Sequence, residues 1–254
     1  MGQRFVSLKY YQKKLKKTKL SFRQIERKVF KKGLTPLRFK RNQNTISQHE
    51  QFRLFKAHVC IVGCGGLGGN VAELLARIGV GKLTLIDRDS FCEHNLNRQN
   101  FSNLNTLHVK KVDVLKENLL LINPALKIHK KPKYLDEKNI DKLLKKAHVV
   151  VDCVDDVKTK KLLALWCEKH FKKFVHGAIG GSVLQVSTSA KTKNLYKTNK
   201  KGAEEIYGNL AFTASNCASL QASFCINLLL NKNFNFQDLL FCDLKDYEFV
   251  NLPL

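Results

Sequence analysis

No two of the eight cysteines stand in C-x-x-C spacing, and that absence excludes the tetrahedral zinc site such pairs build. The cysteines lie at 60, 64, 92, 153, 167, 217, 225 and 242, and Cys60, Cys64 and Cys153 fall in or beside apolar stretches. That placement suits reduced thiols in a cytoplasm better than disulfides. The basic N-terminus is followed by no apolar h-region, so no signal peptide is expected. Long apolar runs are missing too. The longest stretch without charge, Ile206 to Asn231, is broken by Asn209, Thr213, Asn216, Gln221 and Asn227, which predicts a buried helix and no membrane span. Acids are scarce, 21 against 45 lysines and arginines, for a net charge of +24. Such a charge invites a nucleic-acid partner. Its distribution weakens that reading, because residues 1–45 alone hold fifteen of the basic residues and a single acid, Glu26. Nucleic acid therefore stays possible but is not the favoured partner.

With 254 residues, 44% of them hydrophobic, the chain is long enough for one α/β domain with an extension. Leu15, Phe22, Ile25 and Val29 recur at near-helical spacing, so residues 1–32 read as one basic helix stopped by Gly33 and Pro36. A polar link, RFKRNQNTISQHEQ, follows. From residue 57 strands and helices alternate: HVCIVG, a helix over 67–78, KLTLID, a helix over 108–122, LKIHKKP, a short helix over 136–146, HVVVDCVDD, and a helix over 157–171. Then come KFVHGAIGG, VLQVSTS, a basic loop over 190–207, a helix over 209–230, and the strands LLFCDL and EFVNLPL. This alternation predicts a Rossmann-like, mostly parallel sheet with helices on both faces, closed by antiparallel strands. The expected division is a basic helical arm and linker, 1–45, ahead of a catalytic domain, 46–254.

Gly63, Gly65 and Gly68 form G-x-G-x-x-G between an apolar strand and a helix, with Gly66 added. In that context the loop is a phosphate cradle, since glycines admit the backbone close to the anion and the helix N-terminus supplies N–H donors. Asp87 ends the next strand, where a carboxylate can take ribose hydroxyls. Beyond it HNLNRQNF carries Asn95, Arg98 and Gln99, and Lys111 follows at the start of a helix. A dinucleotide-binding oxidoreductase has little use for these extra cations; a nucleoside triphosphate does, because charge develops on its phosphate oxygens during transfer. Asp155 follows the third apolar strand and can hold Mg²⁺ together with phosphate oxygens. The bland alternatives are a surface salt bridge for Arg98, a solvated helix residue for Lys111 and a helix cap for Asp155. Arg98 and Lys111 are both expected to face solvent.

Taken in order, the glycine loop, Asp87, NLNRQ, Lys111 in HVKKVD and VDCVDD resemble the ThiF/MoeB/HesA family, bacterial relatives of ubiquitin-activating enzymes, and the ThiF branch most. The resemblance covers about residues 38–254. It implies an adenylyltransferase that activates the C-terminal glycine carboxylate of a small ubiquitin-like sulfur carrier (ThiS/MoaD-like) with ATP, releasing pyrophosphate, in thiamine (thiazole) biosynthesis. In those terms Gly66 and Asp87 hold the nucleotide, Asn95, Arg98 and Lys111 hold phosphates, Asp155 holds magnesium, and Asp156 occupies the next nucleotide-site position. RFKRNQ is similar to the family's early R-Y-x-R-Q, with its glutamine one residue late, which makes Arg41 the arginine that reaches the ATP of a partner subunit in a homodimer with a shared active site.

The chain departs from the family in two respects. It lacks the two zinc-binding C-x-x-C pairs of many relatives, and residues 185–208 contain no cysteine to take an activated carrier. Cys217 is the nearest thiol and reads as structural. Three rivals remain: a tRNA-modifying dehydratase of the same superfamily, which the basic arm suits; an NAD(P)-dependent oxidoreductase, supported only by the glycine loop and Asp87; and a non-catalytic binding scaffold.

Overall fold

The computed structural model describes residues 4–196, 206–231, 234 and 236–254. Its elements run β1 (Phe5–Val6), α1 (Leu8–Lys17), α2 (Phe22–Lys31), β2 (Thr35–Pro36), α3 (Gln48–Lys56), β3 (His58–Val62), α4 (Gly66–Ile78), β4 (Lys82–Ile86), α5 (Lys111–Ile122), β5 (Lys127–Lys131), α6 (Ile140–Leu144), β6 (Val149–Asp152), α7 (Val157–Lys169), β7 (Lys173–Gly180), β8 (Val183–Ser187), α8 (Ala211–Leu230), β9 (Leu239–Asp243) and β10 (Glu248–Leu252). Among the described residues β1 and β2 form a small parallel pair, and the other eight strands form one sheet in the order β10-β9-β8-β7-β6-β3-β4-β5.

Strands β3 to β7 are parallel and β7 to β10 antiparallel, as the alternation of elements predicts. The period of two along β3 sends Val59 and Ile61 into a core layer with α4, α5 and α8, and Cys60 and Val62 into a second layer with α6 and α7. The chain leaves β3 for β4 and β5 on one side, then returns for β6 and β7 on the other. The β3–β6 boundary is therefore a topological switch point, where the strands' carboxyl ends open a crevice.

One sequence expectation fails near the N-terminus. Residues 1–32 are not one helix. α1 ends at Lys17, and Ser21 starts α2 by a capping box, its hydroxyl accepting the Gln24 N–H while the Gln24 side chain accepts the Ser21 N–H. Within the polar link Leu37–Asn42 form a 3-10 turn, and a second capping box, Ser47 with Glu50, starts α3. The basic segment packs on the domain. Phe30 and Phe39 bury with Phe55 and Ala125. Arg23 donates to the carbonyls of Gly81, Phe55 and Ala125, tying α2 to α3 and to the segments that lead into β4 and β5. Arg38 bridges the buried Glu26 carboxylate and Asn123 at 2.5 and 3.0 Å.

Candidate functional site

A cavity of about 1140 Å³ opens at the carboxyl ends of β3, β4 and β6. Its floor is the glycine loop. Gly63 has φ +85°, and a Cβ there would run into the Cys153 carbonyl; a Cβ on Gly68 would overlap the Gly63 carbonyl oxygen. These two glycines thus serve the close approach of loop, helix and β6, and Gly68 itself lies outside the cavity wall. Gly65 and Gly66 line the cavity and lead into α4, a helix with no acid in its first turn. An anion here meets free N–H groups and the positive end of the helix dipole.

Asp87 sits beside this floor. Its Oδ2 accepts the Cys64 N–H and its Oδ1 the Asp89 N–H, both at 2.7 Å. Burial raises the carboxyl above its usual range, and nearby Lys111 and these two N–H groups pull against that rise. Each oxygen keeps a lone pair for a hydroxyl of a bound sugar. Lys111 is buried, only 7% exposed, with Nζ 3.5 Å from Asp89. The expectation that it faces solvent is therefore corrected: it is the first residue of α5, and the β4–α5 connection folds over it, its own N–H bonding the Asp89 carbonyl. Arg98 is half-buried. It lines the cavity, with Nη1 held by the His94 carbonyl and the Asn97 side-chain oxygen at 3.1 and 2.8 Å.

Asn95 turns away from the cavity wall. Buried, it accepts the Cys92 N–H on Oδ1 at 3.0 Å and so shapes the loop that carries Arg98. Gln99 does line the cavity, and its Oε1 is a buried oxygen with no partner, a group that a ligand donor would satisfy. The two acids after β6 divide their work. Asp156 caps α7 by accepting the Thr159 N–H at 2.7 Å, while Asp155 stands exposed on the cavity wall. Among the described residues no group of three or more His, Cys, Asp or Glu could hold a metal. A lone carboxylate suits Mg²⁺ shared with phosphate oxygens, not an all-protein cage. Arg41 is exposed in the 3-10 turn and is not part of this cavity wall.

A buried ionic cluster that reaches the cavity wall through Lys160 and Tyr196 was not legible in the sequence. Lys160 donates to Asp152 at 3.2 Å and to the Gly177 carbonyl at 2.8 Å; His176 bonds the same carboxylate at 2.8 Å and the Tyr196 hydroxyl at 3.0 Å. Burial opposes the charge on Asp152, but Lys160 and His176 outweigh it and hold the carboxyl below its usual range. Burial opposes charge on Lys160 as well, and Asp152 raises it above the usual lysine range nonetheless. Burial pushes the Tyr196 hydroxyl up to about 12. The cysteines offer no nucleophile near these groups. Cys153 lines the cavity and Cys217 lies in α8, both buried; burial raises the Cys153 thiol strongly and pushes Cys217 up to about 12.

A model of the ThiF family matches residues 39–254. The tRNA threonylcarbamoyladenosine dehydratase of Haemophilus influenzae is 36% identical over 146 residues, 55% of this chain and 56% of that one. The chain thus spans about half the length of this relative. The SAMP-activating enzyme E1 of Haloferax volcanii is 28% identical over 217 residues, 82% of this chain and 80% of that one. Among solved structures, Escherichia coli tRNA N6-threonylcarbamoyladenosine dehydratase, TcdA, superposes with a TM-score of 0.68 at 23% identity, over 77% of this chain and 95% of that one, a likeness of fold.

Proposed function

From the premise that this chain belongs to the ThiF family, we propose that it is an ATP-dependent enzyme that activates a carboxylate as its acyl-adenylate, and that the carboxylate is carried by a modified nucleoside of tRNA. Gly65, Gly66 and the α4 N-terminus take phosphates, Asp87 takes the ribose, and Arg98 and Lys111 screen the α-phosphate from the incoming carboxylate. Mg²⁺ shared between Asp155 and phosphate oxygens would neutralise charge on the departing pyrophosphate. The carboxylate oxygen attacks the α-phosphorus and pyrophosphate leaves. An internal nucleophile of the same nucleoside then displaces AMP, which keeps the carboxylate oxygen, so one water is lost overall.

The observation that carries this reading is a cavity that sets Arg98 and Lys111 beside the glycine loop while Cys153, its one lining cysteine among the described residues, is buried. A product formed there is consumed most simply by a nucleophile within the substrate. The dehydratase likeness and the +24 charge point the same way. The second reading, adenylation of a ThiS/MoaD-like sulfur carrier, draws on the likeness to the SAMP-activating enzyme, which spans more of both chains. Incubation with ATP and either threonylcarbamoyladenosine-containing tRNA or a ubiquitin-like carrier separates them. The expected result is pyrophosphate exchange with the tRNA and loss of one water from its nucleoside; exchange with the carrier alone would overturn the tRNA reading.

The same reading keeps 46–254 as the catalytic domain and the homodimer with a shared site. α8 supports it by presenting exposed Phe212, Asn216, Ser219 and Ser223, an uncharged face of the kind that packs across an interface. Arg41, exposed ahead of the domain, would then complete the partner's cavity. Mixing Arg41→Ala chains with Asp155→Ala chains, each inactive alone, should restore part of the exchange activity, because one intact site forms per mixed dimer. Subunit exchange with no returning activity would sink the shared site.

A further inference from the structure

The sheet ends at β5, and one side of that edge strand is cationic along its whole length. Lys127, His129 and Lys131 alternate onto one side, while Ile128 packs into the core on the other and Lys130 is neutralised there by Asp113. The register sets Lys82 at the start of β4 directly beside Lys127. Lys146, just beyond α6, joins them: burial, together with Lys82, Lys127, Lys131 and Lys146, holds the His129 imidazole below its usual range. Lys82, Lys127, Lys131 and Lys146 share no ion pair among the described residues. The strand's five residues carry this positive field about 17 Å. It ends at the cavity, whose rim includes Lys133, Tyr134 and Arg88, the last stacked 5.0 Å from the Tyr134 ring.

We propose that this side of the β5 edge is the track on which the phosphate backbone of an RNA substrate lies, leading from Lys82, Lys127 and Lys146 to the Lys133 rim, where the nucleotide to be modified leaves the backbone and enters the cavity. The proposal rests on the tRNA reading above and adds where the RNA sits. A protein partner needs an apolar centre ringed by polar groups, and this side offers lysines with no exposed aliphatic cluster among the described residues. A polyanion needs only closely spaced cations, which it neutralises as its counterions are released. The stacked Arg88–Tyr134 pair at the end of the track suits a base turned out of its strand.

The test uses the full chain carrying Lys127→Gln, Lys131→Gln and Lys146→Gln together, with a Lys→Arg triple at the same positions as charge-preserving control. Binding of an unmodified tRNA transcript is titrated at several salt concentrations. The glutamine triple should bind about tenfold or more weakly, with the slope of log K against log salt shallower by about two to three. The arginine triple should bind as wild type does. Pyrophosphate exchange with the free modified nucleoside should be unchanged in both, since none of the three residues lines the cavity. Wild-type affinity and slope in the glutamine triple would put the RNA elsewhere and overturn the track while leaving the tRNA reading intact. No tRNA binding by wild type would overturn both. Loss of exchange with an acidic ubiquitin-like carrier, and not of tRNA binding, would make the same face a protein dock and overturn the RNA proposal.

Discussion

Lys111→Ala slows pyrophosphate exchange by about 10²–10³, the loss expected when one preorganised charge donor is removed from a transition state. The burial of Lys111 is what makes the effect large. A solvated lysine is screened and is readily replaced by water and salt; this side chain is itself buried and its ammonium is held near Asp89 and Asp87. The substitution has a second signature. Lys111 counters the burial that raises the Asp87 carboxyl, so without it Asp87 protonates at higher pH than before. Nucleotide affinity in the variant should therefore fall off on acidification at a higher pH than in wild type. Lys111→Arg, which keeps the charge, should recover most of that pH profile. Exchange within threefold of wild type in Lys111→Ala would remove this lysine from the phosphate site.

Lys160→Met lowers stability by about 3–5 kcal/mol, the range for breaking a buried pair from one side. For a chain of this size that is a fall of about 10 °C in thermal midpoint. The methionine fills the stem's volume but leaves Asp152 without a cation, because burial holds the imidazole of its remaining side-chain partner, His176, below its usual range. The sign with pH follows from the two shifts. The Asp152 carboxyl lies below its usual range in the folded state, so its contribution is present above about pH 4 and is lost as the pH falls through the folded value. The Lys160 ammonium lies above its usual range, so its contribution is present below about pH 10 and is lost as the pH rises through the folded value. The gap between wild type and variant should therefore be widest near neutrality and narrow in acid. Asp152→Asn added to Lys160→Met should return part of the lost stability, because it removes the stranded charge. A midpoint unchanged in the single variant would show that Lys160 is not needed to keep Asp152 charged.

The parts of the site that sequence displays best are those packed into one short stretch. G-x-G-x-x-G, Asp87 and VDCVDD each lie where a strand ends, and parallel strands bring such ends to one rim whatever their separation in the chain. The Asp152–Lys160–His176–Tyr196 cluster was invisible for the opposite reason. Its members come from β6, α7, β7 and the segment after β8, and no residue spacing announces that four elements will turn polar groups inward together. Lys111 was found but misjudged, because exposure depends on how a loop folds over a residue and not on the residue's type. The N-terminal helices were misread although the signal was present: Ser21 with Gln24 and Ser47 with Glu50 are both capping boxes, S-x-x-Q and S-x-x-E. Asn95, expected to hold phosphate, is buried off the cavity wall, and its oxygen accepts the Cys92 N–H, so a motif position can be fixed by its loop.

The two ends of the eight-stranded sheet are unequal. At β5 one side of the open strand edge carries Lys127 and Lys131, and a second copy of this chain bringing its own β5 would meet like charge on that side. At β10 all five residues are exposed, and Phe249, Val250 and Leu252 stand among them with one acid, Glu248. Colloidal behaviour should then be lopsided. Salt that screens the lysines lowers the barrier at one end, whereas the other end has Glu248 as the one charge within its strand, and is the place where a stray strand extends the ladder and clumping begins.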